Sequence, residues 1–131
     1  MAASSFEKIP GVPSEEIFRI NFNKKSISGT VRALNFIDND TKQHVIYIPS
    51  LELSGYGDTL LKAEELLRTS IHYFCDFLIS LSKDKAKKEL TALGWNQKQL
   101  KNKEYSKAYV DASGILKNFN AVSVREAAFA L

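Results

Sequence analysis

Hydrophobic and polar positions first alternate along this chain, then switch to a helical period. Between Glu16 and Asn23, Phe18, Ile20 and Phe22 fall on one side, and Ile17, Arg19 and Asn21 on the other. That period of two predicts a half-buried strand. Lys24-Lys25 reads as a short turn. Ser26 to Ile37 follows as a second strand through Ile27, Val31, Ala33, Leu34, Phe36 and Ile37, with Gly29 read as a bulge. Asp38-Asn39-Asp40 is a turn cluster, and Gln43 to Pro49 a third strand that Pro49 ends or confines to a sheet edge. Three strands joined by short polar turns predict an antiparallel meander. Ser54-Gly55-Tyr56-Gly57 reads as a tight connection, and Asp58 or Thr59 as a helix cap. From there Leu60, Ala63, Leu67, Ile71, Phe74, Leu78 and Leu81 recur in steps of three and four. They form the apolar stripe of one long helix lying across the sheet.

The second half is less regular. Ser82 to Gly94 predicts a shorter helix with Ala86, Leu90 and Leu93 on one side and Gly94 as its stop. Trp95 is expected to cover the core edge, with ligand stacking as the alternative. Asn96 to Lys103 reads as a polar loop. Tyr105 to Asn120 fits either a hairpin turning at Asp111-Ala112-Ser113-Gly114 or a helix through Tyr105, Ala112, Leu116 and Phe119; we favour the hairpin. Ala121 to Leu131 ends apolar and should be tied down as a final strand or against a partner chain. The expected fold class is α+β, a small antiparallel sheet packed on one long helix with a second short one. Residues 1–13, broken by Pro10, Gly11 and Pro13, are expected to form a flexible leader to a single domain at residues 14–131.

Composition narrows the function classes. With 131 residues, 44% of them hydrophobic, the chain can bury a core without metal or disulfide staples. The single cysteine, Cys75, and two histidines supply no zinc set, so no cofactor is expected and a reducing, cytoplasmic setting fits. No apolar run approaches a membrane span, and the first residues have no signal-peptide pattern. Net charge is +3, but residues 83–107 hold eight lysines against Asp84, Glu89 and Glu104. The tract Lys83–Lys107 could meet phosphate or an acidic partner, or be a solvated face; it contains no arginine for bidentate recognition.

One stretch resembles a known family. Pro49-Ser50-Leu51 after a strand, then Gly57-Asp58-Thr59 opening a helix with Ala63-Glu64-Glu65, is similar to bacterial HicB-like antitoxins and their stand-alone relatives. The resemblance runs from about Ile17 to Leu81. Where the family usually has aspartate, Ser50 stands here. The resemblance implies a truncated ribonuclease-H-like sheet, dimers or tetramers, and a small toxin-like protein partner. It marks Tyr47, Pro49, Leu51, Tyr56, Gly57, Asp58 and Thr59 as candidate binding residues.

Candidate chemistry is thin. Cys75 and His72 are helix neighbours, but a mid-helix cysteine beside Phe74 and Leu78 reads as structural. The interiors of the three strands carry no carboxylate for a metal-dependent nuclease; turn and cap roles suffice for Asp38, Asp40 and Asp58, while Glu64, Glu65 and Asp76 fall on the helix. Gly55-Tyr56-Gly57 lacks the lysine and spacing of a phosphate loop. The nine residues after Val122 cannot supply the DNA-binding module that many family members append. A non-catalytic interaction module is the preferred expectation. A nucleic-acid binder using the lysine tract comes next, and a nuclease after it. Self-association, most simply as a dimer, is expected through the C-terminal strand or the edge at Val45 to Pro49.

Overall fold

The computed structural model describes residues 15–98, 101–108 and 121–131. Four strands come first: β1 (Glu15–Asn21), β2 (Ser26–Asp38), β3 (His44–Ile48) and β4 (Leu53–Gly57). Two helices follow, α1 (Leu60–Ser80) and α2 (Lys83–Ala92), and then β5 (Asn96–Lys98), β6 (Lys101–Ala108) and β7 (Ala121–Ala130). The class is α+β, as expected: among the described residues, an antiparallel open sheet of seven strands against two helices. Its neighbours run β4-β3-β2-β1-β6-β5, with β7 also on β2.

The register defines an arrangement that a simple meander does not have. Thr30 pairs with Ile17 of β1 and also with Ala130 of β7. Leu34 pairs with Tyr47 of β3 and also with Glu126 of β7. A strand residue has one neighbour on each edge. So β7 runs along one edge of β2, while β1 and β3 lie end to end along the other. The long strand β2 thus carries two wings, β3–β4 and β1–β6–β5. Where they meet, the Arg32 N–H has no strand to bond. The buried carboxylate of Glu16 accepts it at 2.9 Å and also accepts the Ser50 hydroxyl at 2.5 Å. Trp95 closes the junction by donating its indole N–H to the Ser50 carbonyl at 2.9 Å. It is 1% exposed and its ring lies 5.6 Å from that of Phe18. This bears out the core-covering reading of Trp95.

Two glycine expectations are corrected. The β1–β2 register passes Gly29 without a shift, so Gly29 is not a bulge. Its φ is +145°, and a Cβ there would sit 2.1 Å from the Ile17 carbonyl oxygen, so glycine admits the close approach of β1. The irregularity in β2 lies instead between Phe36 and Asp38, against β7. Ser54 to Gly57 is not a tight connection either. It belongs to β4, paired with β3 from His44–Gly57 to Ile48–Leu53. The turn falls earlier, at residues 49–52, where Glu52 takes φ +54°. Gly55 is in the strand because α1 crosses directly over it: a Cβ would meet the Ala63 carbonyl oxygen at 2.2 Å. The edge at Val45 to Pro49 is corrected with it, since β4 covers β3. Asn96 to Lys103 is no plain loop; it holds β5 and the start of β6. Ladder pairing across β1, β6 and β5 overrides the polar composition there.

Both helices start and stop for local reasons. Thr59 caps α1, its hydroxyl accepting the Lys62 N–H at 3.1 Å. Ser82 caps α2 through the Lys85 N–H. Gly94, at φ +93°, ends α2: its N–H bonds the Thr91 carbonyl while the Trp95 N–H reaches back to Leu90. That pair of bonds satisfies two end carbonyls and delivers Trp95 to the core. Ala63, Leu67, Ile71 and Leu78 of α1 are buried against Phe18, Val31, Ile46, Ile48 and Phe129. Leu34 and Phe36, which alternate away from Val31 and Ala33, are buried as well. The final strand is tied down as expected: Ala127, Ala128 and Phe129 are buried, and the Leu131 N–H bonds the Gly29 carbonyl. Of the segment fitting a hairpin or a helix, Tyr105 to Ala108 is strand; its remainder, with the turn at Asp111 to Gly114, lies outside the described residues, as does the expected leader.

Candidate functional site

The residues marked by the family resemblance lie around β3, β4 and the start of α1, and most of them build the frame. Leu51 is 2% exposed in the core. Pro49 opens the turn between β3 and β4. Gly57 ends β4 against the Lys62 side chain, Asp58 is exposed, and Thr59 is the α1 cap. Tyr47 is half-buried, and burial, with Glu52 nearby, pushes its phenol up. Tyr56 differs: it alternates away from Gly55, which faces α1, and is 56% exposed.

Among the described residues, Cys75, His72, Asp38 and Glu16 are each engaged by burial or by a bonded neighbour. Burial, with Asp76 beside it, pushes the Cys75 thiol up to about 11, the reverse of what a nucleophile needs. The adjacent His72 is turned to Asp76, Nε2 to Oδ2 3.2 Å. Asp38 is spent on its own turn, accepting the Thr41 N–H and hydroxyl, and these bonds hold its carboxyl below the usual range. Among the described residues no three His, Cys, Asp or Glu gather as a metal site. Glu16 is the acid that strand-interior reading missed, because it precedes Phe18 at the strand start. Burial raises its pKa, opposed by its bonds to Ser50 and Arg32 and by the charges of Lys107 and Arg32. It bonds the junction rather than facing a cleft. A cavity of about 330 Å³ lies where α1 meets the ends of β2 and β7, floored by Ile27, Ile71, Cys75 and Phe129. Arg68 bonds Glu64 at 3.1 Å and lies over the Phe129 ring, His72 lies against Asp76, and Lys25 also lines the cavity.

The lysine tract is divided by the fold. Lys83, Lys85, Lys87 and Lys88 are exposed on α2. Lys107 is half-buried and donates to the Leu93 carbonyl, so it serves the end of α2. No helix among the described residues is long and apolar enough to cross a membrane.

Among the described residues, most of the exposed large apolar side chains lie on α1. Leu61 is 65% exposed, Leu66 37%, Tyr73 70% and Phe77 46%. Leu66, Tyr73 and Phe77 lie at steps of seven and four, on one flank. The sequence carried a signal for them that the core stripe hides: Leu66-Leu67, Tyr73-Phe74 and Phe77-Leu78 are apolar doublets. Neighbours stand about 100° apart, and in each of these doublets the second member turns towards the sheet and the first away from it. Compared with protein families, characterised proteins and solved structures, the chain matches none.

Proposed function

We propose that this protein is a non-catalytic interaction module that joins protein chains, itself included. The observation that carries the reading is the set of large apolar side chains left in water by a well-closed core: Leu61, Leu66, Tyr73 and Phe77 on α1, and Tyr56 on β4. Contiguous exposed apolar surface favours association, and tyrosine is among the side chains that most often anchor interfaces. The resemblance of the Pro49-to-Glu65 stretch to HicB-like antitoxins supports the same reading. It adds a small toxin-like protein as the class of partner besides a second copy. The held states of Cys75, Asp38 and Glu16 favour binding over catalysis.

Sedimentation of the purified chain at tens of micromolar, beside an RNA and DNA cleavage assay with Mg²⁺ or Mn²⁺, tests this. Association without cleavage is expected. Cleavage that follows the protein through purification and disappears with Asp38→Asn or Asp58→Asn would overturn the reading.

A further inference from the structure

Resting on that reading, we propose that the contact is the flank of α1 carrying Leu66, Tyr73 and Phe77, and that its occupant is a second copy packed antiparallel about a two-fold axis passing between Thr69 and Ser70. The argument begins with symmetry. A two-fold contact must present the same residues in reverse order. Lys62, Leu66, Tyr73 and Phe77 are spaced by four, seven and four, which reads the same both ways. An antiparallel copy then sets Leu66 against the partner's Tyr73, and Lys62 against the partner's Phe77.

The centre of the flank suits a close crossing. Thr69 and Ser70 are small, and their hydroxyls bond back to the Glu65 and Leu66 carbonyls at 3.1 and 3.2 Å. They bring little unsatisfied polarity into a contact. Charge agrees as well. The Lys62 stem can lie along the ring of the partner's Phe77, with its ammonium near the partner's Asp76, one residue away. Asp76 is exposed, and within its own chain it meets only the exposed His72 in the ion pairs described. The area sets the strength. Exposed aromatic rings of this size and the small residues between them bury about 1,000 Å² in total over two copies. That is the low end for a specific interface, so a dimer in exchange with monomer is expected rather than a permanent one.

The test is sedimentation equilibrium of the full chain, of Tyr73→Glu and of Thr91→Glu. Each variant's thermal melt verifies its fold. Tyr73→Glu places a charge at the contact and should raise the dimer dissociation constant at least about tenfold. Thr91→Glu, at an exposed position of α2, should leave it unchanged. A mixture of Leu66→Cys and Tyr73→Cys, both in a Cys75→Ser background, should oxidise to the mixed cross-linked dimer in preference to either homodimer. A dimer indifferent to Tyr73→Glu, or cross-linking to like positions, would overturn the contact while leaving self-association standing. A full chain that stays monomeric at tens of micromolar would overturn the contact and self-association together.

Discussion

The two sides of α1 were made from the same kinds of residue and were given opposite fates. Leu67 and Leu78 are fully buried, while their neighbours Leu66 and Phe77 are 37% and 46% exposed. The inward side meets β-strands whose glycine and β-branched residues leave room for a helix to lie close, as Gly55 does under Ala63 and Leu67. The outward side meets water. Burial is worth about 25 cal/mol per Å², so apolar residues that the fold does not bury contribute little to its stability. Their presence is what a folding argument leaves unexplained and a binding argument uses. The comparison makes a sharp demand on stability. Leu67→Ala and Leu78→Ala should each cost about 2–5 kcal/mol in urea melts of the monomer. Tyr73→Ala, in the same melts, should cost under about 0.5 kcal/mol. Similar losses on both sides would break the distinction.

The next test loads the inward side instead of emptying it. Gly55→Ala puts a methyl where the Ala63 carbonyl oxygen is 2.2 Å and the Leu67 nitrogen 2.5 Å away. Both neighbours are backbone, so α1 must lift from β4. A cost of about 1–3 kcal/mol is expected. A Gly55→Ala protein as stable as the parent would mean that helix and strand are not in this contact. A smaller loss is expected at the helix entrance, where Thr59→Ala removes the acceptor of the Lys62 N–H. That should cost about 1 kcal/mol. Thr59→Ser should restore most of it, which separates a lost cap from lost packing.

How much of this could be read from the chain depends on how local each feature is. Alternation at Phe18, Ile20 and Phe22, the Asp38 turn, the inward stripe of α1 and the Ser82-to-Gly94 helix are local patterns, and each has its place in the fold. The last strand was legible because an apolar run must be covered somewhere. β4 was not, since Ser54-Gly55-Tyr56-Gly57 has the composition of a turn. Only the passage of α1 over Gly55, eight residues before Ala63 in the chain, makes glycine the fitting strand residue. β5 and the start of β6 were missed for a related reason: polar residues form strands when a ladder is already in place beside them. The junction at Glu16 was out of reach, because it joins residues 34 and 45 positions apart. Of the candidate residues, sequence marked Tyr56, which is exposed, along with six that mainly serve the frame. It passed over Leu66 and Phe77, because the search was for one stripe and α1 has two.

The smallest expected effect follows from titration, and it separates the interior junction from the outward flank. Glu16 has its pKa raised from the usual 4.5, chiefly because burial disfavours the carboxylate. The folded protein therefore holds this proton more tightly than the unfolded chain does. By linkage the group's contribution to stability is fully present below about 4.5, the unfolded value, and is lost as pH rises through the higher folded value. Lys107 and Arg32 oppose the shift without reversing it, so the window lies between the unfolded value and the raised folded one. Glu16→Gln keeps an oxygen for the Arg32 N–H and the Ser50 hydroxyl but cannot titrate. In urea melts from pH 4 to neutrality, the parent should lose stability relative to Glu16→Gln as pH rises through that window, with the difference constant above it. Tyr73→Ala should run parallel to the parent throughout, because no charge in the junction touches the flank. Parallel curves for Glu16→Gln and the parent would mean that the carboxylate is hydrated, and the two wings of the sheet would then lack the dry junction described here.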